Sequence, residues 1–327
     1  MTTATPIGVT FAGFMPLAPQ IALDVAREAE ALGYSSYWTA ETTGPEAFSL
    51  LGGVAGVAPS LDLGTGVLAL QLRTPMVTAM AAATLQAMVP DRDVLLGIGI
   101  SSPVVTQQWH GVAYGERPLD HVREYVALVR ECLSGESVTF EGDFYSVKRF
   151  RLGIRQGERK PKIVIGALNP GMLALAGEIA DGVLLNYLPA SHVPWSIEQV
   201  RKGGDAEVYA YVHVGVADRE AAVENARKDL FSYAVVDAYA RNFERAGFAD
   251  EVAEIREHHA AKDREGALAA VSDRMVDAID VVGDAALVRS TIEDYVTNGV
   301  DHPIVMPLPW GENRRQVISD TLAAAVN

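Results

Sequence analysis

Cysteine is nearly absent from these 327 residues, Cys132 being the only one. A single thiol excludes an internal disulfide and any multi-thiolate metal site, and it suits a reducing cytoplasm. Positive charge is scarce: 27 lysines and arginines stand against 42 aspartates and glutamates, a formal net charge of -15. Nucleic-acid affinity depends on clustered cations, so a general phosphate-backbone binder is disfavoured, although a local basic patch stays compatible. Long uncharged apolar runs are missing, and none reaches the ~20 residues of a membrane helix. The opening stretch "MTTATPIGVTFAGFMP" lacks a positive region before its short apolar run. No secretory signal is expected, and the chain reads as soluble and cytoplasmic.

Apolar residues, in contrast, make up 49% of the chain, enough for a sizeable core. This length holds either two domains or one large α/β barrel. Short β-branched runs alternate with longer helical patterns from end to end, the signature of βα units around a parallel sheet. Eight candidate strands can be counted: "IGVTFA" (7–12), "SSYWTA" (35–40), "LDLGTGVLAL" (61–70), "DVLLGIGI" (93–100), "KIVIGAL" (162–168), "GVLLNYL" (182–188), "EVYAYVHVGV" (207–216) and "HPIVMPL" (302–308). Several are apolar almost throughout, as in strands buried on both faces. The helical runs between them carry proline and glycine punctuation, as in "PQIALDVAREAEALG", "PMVTAMAAATLQAMVP" and "GMLALAGEIADG". Eight such units predict a closed (βα)8 TIM barrel, with a doubly wound open sheet as the alternative. A single domain over 1–327 is expected, with insertions at about 135–161, where "SVTFEGDFYSV" resembles a small hairpin, and 217–299, which is charged and mainly helical.

The third strand raises a question of its own, because it carries glycines at Gly64 and Gly66. Glycine inside a strand costs packing and backbone entropy, so the pair suggests a bulge or something pressed against the backbone. The common signatures do not help. "GIGISS" from Gly97 fails the dinucleotide fingerprint at Ser102, and there is no Walker lysine, HExxH or nucleophile elbow. Seven histidines are scattered, only His258 and His259 adjoining, so no metal site is expected. In a barrel, chemistry gathers where strands end and βα loops begin. Those ends supply Glu41, Gly66 to Leu70, Gly99 to Ser102, Ala167 to Asn169, and Asn186 to Tyr187. Glycine, serine and asparagine offer close backbone approach and neutral hydrogen bonds, which suit a flat polar heterocycle better than a hydrolytic triad.

The run "LGTGVLALQLRTPMVTAMAAATLQAMVPDRDVLLGIGISSP", with "ALGYSSYWTAE" before it and "PKIVIGALNPGMLALAGEIADGVLLNYLP" after it, resembles the luciferase-like monooxygenase superfamily. The resemblance is to its branch using the deazaflavin coenzyme F420, and it covers nearly the whole chain, most weakly over 217–299. It implies a (βα)8 barrel whose flavin-like ring lies against a bulge in the third strand, where a non-prolyl cis peptide falls at Gly66–Val67. It also implies a ring site at Thr42, Gly66, Val67, Leu68, Gly99, Ser101 and Ser102, and a ribityl phosphate end near Gly166, Ala167, Leu168, Asn169 and Asn186. The alternative for the glycines is a barrel-packing kink that needs no ligand. The chain departs from the deazaflavin sugar-phosphate dehydrogenases of the family, which have Asp-His after the second strand and an acid after the fourth. Here Glu41-Thr42 and Ser102 stand in those places, and the glycine pair often found after the fifth strand is Leu168-Asn169.

Proton-transfer candidates then come from elsewhere. Along "EVYAYVHVGV", alternation puts Val208, Ala210, Val212 and Val214 on one face and Tyr209, Tyr211 and His213 on the other. If the valine face lies under the helices, His213 points into the barrel near its upper end, as an acid or base or as a hydrogen-bonded core histidine. Glu41 is a second candidate acid or base, or an anchor for a backbone amide, and Ser102 a third group that could hold a water. Arg73 reads as a tie for the third-strand loop, and Trp109 and His110 as a roof or as ordinary loop packing. In "KRFRLGIRQGERKPK" (148–162), seven basic residues face one acid. That strip could attract an anionic coenzyme tail, but it precedes the fifth strand and so starts on the opposite end of a barrel; a solvated or subunit-contact role is expected. The expected function is hydride transfer between a deazaflavin and a small organic substrate, in a homodimer. An FMN-dependent monooxygenase and a non-catalytic flavin-binding protein are the alternatives.

Overall fold

All eight runs expected as strands form strands in the computed structural model, which describes residues 5–326. The chain begins β1 (Gly8–Thr10), α1 (Pro19–Ala31), β2 (Ser36–Thr39), α2 (Ala47–Val57), β3 (Asp62–Thr65), β4 (Leu68–Ala69), α3 (Pro75–Met88), β5 (Val94–Gly99) and α4 (Pro118–Cys132). It continues with β6 (Val138–Glu141), β7 (Ser146–Phe150), β8 (Lys162–Gly166), α5 (Pro170–Ile179), β9 (Gly182–Leu185), α6 (Val193–Arg201) and β10 (Glu207–Val216). Then come α7 (Arg219–Ala234), α8 (Asp237–Phe243), α9 (Ala249–Ala260), α10 (Arg264–Ala269), α11 (Asp273–Ile279), β11 (Val281–Gly283), α12 (Ala285–Thr297), β12 (His302–Pro307) and α13 (Arg314–Val326). Proline opens α1 and α3, where its missing N–H costs nothing, and Thr74 caps α3 by accepting from the Val77 amide.

Parallel pairing runs through β12, β1, β2, β3, β5, β8, β9 and β10. The circle closes where Tyr209–Val214 of β10 pairs with His302–Pro307 of β12, which rules out the open sheet. β3 and β4 share one barrel position on either side of a bulge, both pairing with β5. β11 was not legible in the sequence; it is a three-residue strand beside Val214–Val216.

Strand alternation sorts the side chains. Val9, Tyr37, Leu63, Ile98, Ile165, Val183, Val208, Val212 and Val305 pack under the helices. Trp38, Leu95, Val164, Leu184, Tyr209, Tyr211, Ile304 and Met306 fill the interior. The large members of that inner set stand over glycines. A Cβ on Gly64 would lie 2.3 Å from the Trp38 ring, one on Gly182 2.7 Å from the Tyr209 ring, and one on Gly66 1.9 Å from the Tyr211 hydroxyl. Trp38 donates to Ser36 Oγ (2.9 Å) and Tyr211 to the Gly66 carbonyl (2.9 Å), so both rings are buried with their polar tips satisfied. The two glycines of the third strand therefore answer first to the barrel's own aromatic packing. The bulge is also there, and the Gly66–Val67 peptide is cis.

Between α4 and β8, β6 and β7 form the expected hairpin, held to α4 by Glu124, which accepts from the amides of Asp143, Phe144 and Tyr145. The basic strip begins on β7 with Lys148 and Arg149 and runs on to the N-terminal end of the barrel. Arg159 and Lys162 both pair with Asp93, immediately before β5, Lys162 at 2.7 Å. From α7 to α11 the chain builds a second apolar cluster around Leu230, Phe243, Phe248, Ile255 and Met275. The expected insertion ends there: α12 puts Val288, Ile292 and Tyr295 into the barrel core and is an ordinary barrel helix. Among the described residues no helix is long and apolar enough to cross a membrane.

Candidate active site at the barrel mouth

Inward alternation carried past the strand ends brings Ala40, Ser101, Leu168 and Asn186 to the C-terminal mouth, all half-buried. Val67 joins them from the bulge. A Cβ on Gly99 would lie 2.6 Å from Val67 Cγ2 and one on Gly166 3.1 Å from Val67 Cγ1. The space freed by these two glycines, expected to let a ring approach, is thus taken up by Val67, which is itself half-buried and presented to the mouth. Gly66 is covered by Tyr211. Two further expectations are corrected by alternation: the side chains of Leu68 and Ala167 are buried in the core under the helices, so only their backbones could serve a ligand.

Glu41 is not free. Arg73 clamps its carboxylate through Nε (3.0 Å) and Nη2 (2.7 Å), and the Ala47 amide donates to the same group (3.3 Å). Both side chains are mostly buried, at 13% and 16% exposure, and Arg73 also pairs with Glu46. A carboxylate held bidentately at the start of α2 anchors the loop after β2 to the one after β4, the anchor reading of Glu41 and the tie reading of Arg73. Ser102 accepts at Oγ from the Val105 amide (3.3 Å), while its carbonyl accepts from the Thr106 amide and hydroxyl, so it turns the chain into the short helix Val104–Trp109. That helix carries Trp109, 56% exposed. His110 ends it and bonds the Thr42 carbonyl (2.7 Å), pinning the β5 loop over the β2 loop. Ser101 has no internal hydrogen-bond partner among the described residues and keeps its hydroxyl for the mouth.

The β8 loop is claimed by the helical insertion. Asn169 donates to the Ala238 carbonyl (3.2 Å) and accepts from Arg245 (2.8 Å). Its amide, expected at the phosphate end of a cofactor, is already in use. Tyr187 is the second tie: its hydroxyl donates to Asp229 on α7 (2.8 Å) and its carbonyl accepts from Asn242 on α8 (2.9 Å). These bonds hold Tyr187 at a φ of 49°, an uncommon region for a bulky residue.

His213 points inward as alternation requires and is buried, with 2% exposure. It touches no open space. Its Nδ1 lies 2.9 Å from Asp280 Oδ1 and its Nε2 2.8 Å from Asn186 Oδ1, with the Tyr187 ring edge-on against it. Asp229 completes the group; one ligand atom from each of His213, Asp229 and Asp280 lies within 4.8 Å of the others. Burial drives every member toward its neutral form. His213 is pushed down to about 4, Asp229 up to about 7 with Asp280 as the second cause, and Asp280 well above the carboxylate range. Neither Asp229 nor Asp280 is legible as a site residue: one stands on the helix that follows β10 and the other 67 residues beyond His213, and no spacing links the three.

The family model of the luciferase-like monooxygenases matches residues 8–302. A 5,10-methylenetetrahydromethanopterin reductase of Methanolobus tindarius is 29% identical over 318 residues, covering 93% of this chain and 95% of that protein. Among solved structures, the coenzyme F420 dependent tetrahydromethanopterin reductase of Methanopyrus kandleri superposes with a TM-score of 0.82 at 21% identity, over 98% of both chains. An F420-dependent secondary alcohol dehydrogenase, solved with an F420-acetone adduct, gives 0.77 at 19% over 99% of both. At those identities the two structures speak for the fold.

Proposed function

This chain belongs to the luciferase-like monooxygenase family, and from that premise we propose that it is a coenzyme F420-dependent oxidoreductase acting on a small organic carbonyl, alcohol or activated alkene. The observation that carries the proposal is the mouth itself: a bulged strand presenting Val67, ringed by Ala40, Ser101, Leu168 and Asn186, with the Glu41 carboxylate beside it held by Arg73. A flat, neutral heterocycle fits such a surface, since it asks for apolar support below and a few neutral donors at its edge. Bound there, the deazaflavin would exchange a hydride at its C5, chemistry that no side chain supplies.

The chain's own part is positioning. Val67 supports one face of the site, and Ser101 and Asn186 offer donors at its edge. The Glu41–Arg73 clamp and the His110–Thr42 bond hold the two loops that frame it, with Trp109 on the outer side. A homodimer in the cytoplasm belongs to the same proposal. Val77, Met80 and Met88 leave an exposed apolar stripe on α3, as at subunit contacts, and Cys132 is an unpaired thiol. A reading without turnover draws support from the engagement of Glu41 and His213, the two titratable candidates, with partners inside the protein.

The test is titration of the purified protein with oxidised deazaflavin and with FMN, read by fluorescence quenching. We expect saturable deazaflavin binding at least tenfold tighter than FMN binding. The reverse order would favour an FMN monooxygenase, and quenching by neither would remove the flavin site altogether. Saturable binding with no turnover across alcohols, aldehydes and enones would leave a binding protein.

The same titration checks the basic strip. Arg159 sits beside Asp93 at the N-terminal end of β5, across the barrel from the mouth. Neutralising Arg155, Arg159 and Lys160 together is therefore expected to change deazaflavin affinity by less than about threefold, under ~1 kcal/mol. A tenfold loss in a folded variant would put the coenzyme tail at that end instead.

A further inference from the structure

The hydrogen-bond donors and acceptors around His213 leave little freedom in where its protons sit. Asn186 Oδ1 accepts from the Tyr187 amide at 2.9 Å, which fixes which end of this side-chain amide is oxygen. The His213 Nε2 that meets the same oxygen at 2.8 Å must then carry a hydrogen and donate it. In a neutral imidazole Nδ1 is left as a bare acceptor, facing Asp280 Oδ1 at 2.9 Å. That contact is a hydrogen bond only if the Asp280 carboxyl keeps its proton. The surroundings favour this arrangement over an ion pair: Asp280 is fully buried, the second carboxylate of Asp229 stands beside it, and its Oδ2 has no partner among the described residues. The other groups facing the cluster include tyrosines: Tyr187 edge-on against the imidazole, Tyr233 tilted against Tyr187, Tyr239 on the Asp229 side and Tyr295 on the Asp280 side.

The outcome falls on Asn186. With Oδ1 holding two hydrogen bonds, the side chain cannot turn over, and Nδ2, which has no partner among the described residues, is left to the mouth as a fixed donor. We propose that His213 is a positioning residue, and that protonated Asp280, His213 and Asn186 form a chain that presents Asn186 Nδ2 to an acceptor oxygen of the bound deazaflavin. This rests on the reading of the mouth as the coenzyme site, and it gives the buried histidine a task other than proton transfer to substrate.

Two measurements test it, one of which needs no coenzyme. In the free protein, ring 15N shifts of selectively labelled histidine should show His213 as the neutral Nε2–H tautomer at pH 7; an imidazolium, or the Nδ1–H tautomer, overturns the chain. The second is deazaflavin affinity by quenching. Asp280→Asn keeps a donor toward His213 Nδ1 and should bind within about threefold of the parent, whereas Asp280→Leu should lose at least tenfold. Asn186→Asp, which has no donor to present, should also lose at least tenfold, and Asn186→Leu combined with Asp280→Leu should lose no more than Asn186→Leu alone. Equal losses in Asp280→Asn and Asp280→Leu, or an indifferent Asn186→Asp, overturn the proposal. A stoichiometric divalent metal in the purified protein that Asp280→Asn removes would do so too, because Nδ1 would then be a metal ligand. If Asp280→Leu fails to fold, the tautomer, Asp280→Asn and Asn186→Asp still decide. Should the parent bind no deazaflavin, the tautomer measurement separates failure of the functional reading from failure of the proton arrangement.

Discussion

Replacing Gly97 with alanine is expected to cost about 3 kcal/mol or more of stability and to lower the melting temperature by roughly 4 °C or more. A Cβ there would stand 1.7 Å from the Thr65 carbonyl oxygen and 2.9 Å from its carbon. These are backbone atoms, so no rotamer change relieves the clash and β3 must move away from β5. Moving it breaks a reciprocal pair of bonds, from the Gly97 amide to Thr65 Oγ1 (2.8 Å) and from Thr65 Oγ1 to the Gly97 carbonyl (2.9 Å). The bulge begins one residue later, so Val67 shifts with it and deazaflavin affinity should fall in the same variant. Gly52→Ala on α2 is the control: nothing lies within 4 Å of the added methyl, and alanine should stabilise the helix by ~0.5–1 kcal/mol. Urea melts of the two variants decide the matter, and a Gly97→Ala protein within ~1 kcal/mol of the parent would show that the β3–β5 seam can yield.

The second large effect is a pH dependence of stability carried by Asp229. Burial first, and the neighbouring Asp280 second, push its carboxyl up to about 7 in the folded protein, against 3.8 ordinarily. Between those values the folded state keeps a proton that the unfolded chain has released. The group's contribution is therefore fully present below about pH 4 and lost as pH rises toward 7, by an amount of order 2–4 kcal/mol. Asp280 shifts in the same direction, whereas His213, pushed down to about 4, works the other way between pH 4 and 6.5. The parent's own profile is thus a composite, and the difference from Asp229→Asn is the quantity to measure. Asparagine still accepts from the Tyr187 hydroxyl but cannot ionise. Relative to it, the parent should lose stability steadily from pH 4 to 7 and run parallel above; curves parallel throughout would show that Asp229 ionises freely in the fold.

Both effects arise where residues distant in sequence meet, and legibility in the sequence followed the same line. Local pattern was enough for the strands: the apolar run "EVYAYVHVGV" is β10 residue for residue, and its alternation put His213 inside. The short β11 escaped because three residues carry no periodicity. The glycines of the third strand do mark something close to the backbone, and the neighbours are Trp38 and Tyr211 of the barrel itself. In the sequence Glu41 stands as a candidate acid or base or an anchor and Arg73 as a loop tie, and nothing in spacing marks their contact across 32 residues.

By itself the sequence determined the barrel, the end of it where chemistry gathers and the neutral, glycine- and asparagine-rich character of that end. These follow from period, turn chemistry and composition, which act over a few residues at a time. Only the tertiary structure decided which groups there remain available. Strand closure set Tyr211 under Gly66, the bulge put Val67 into the space above Gly99 and Gly166, and the insertion brought Asp229 and Asp280 to His213 and Arg245 to Asn169. Whether a side chain is free to meet a ligand depends on who else bonds it, and those partners were supplied by chain closure over tens of residues.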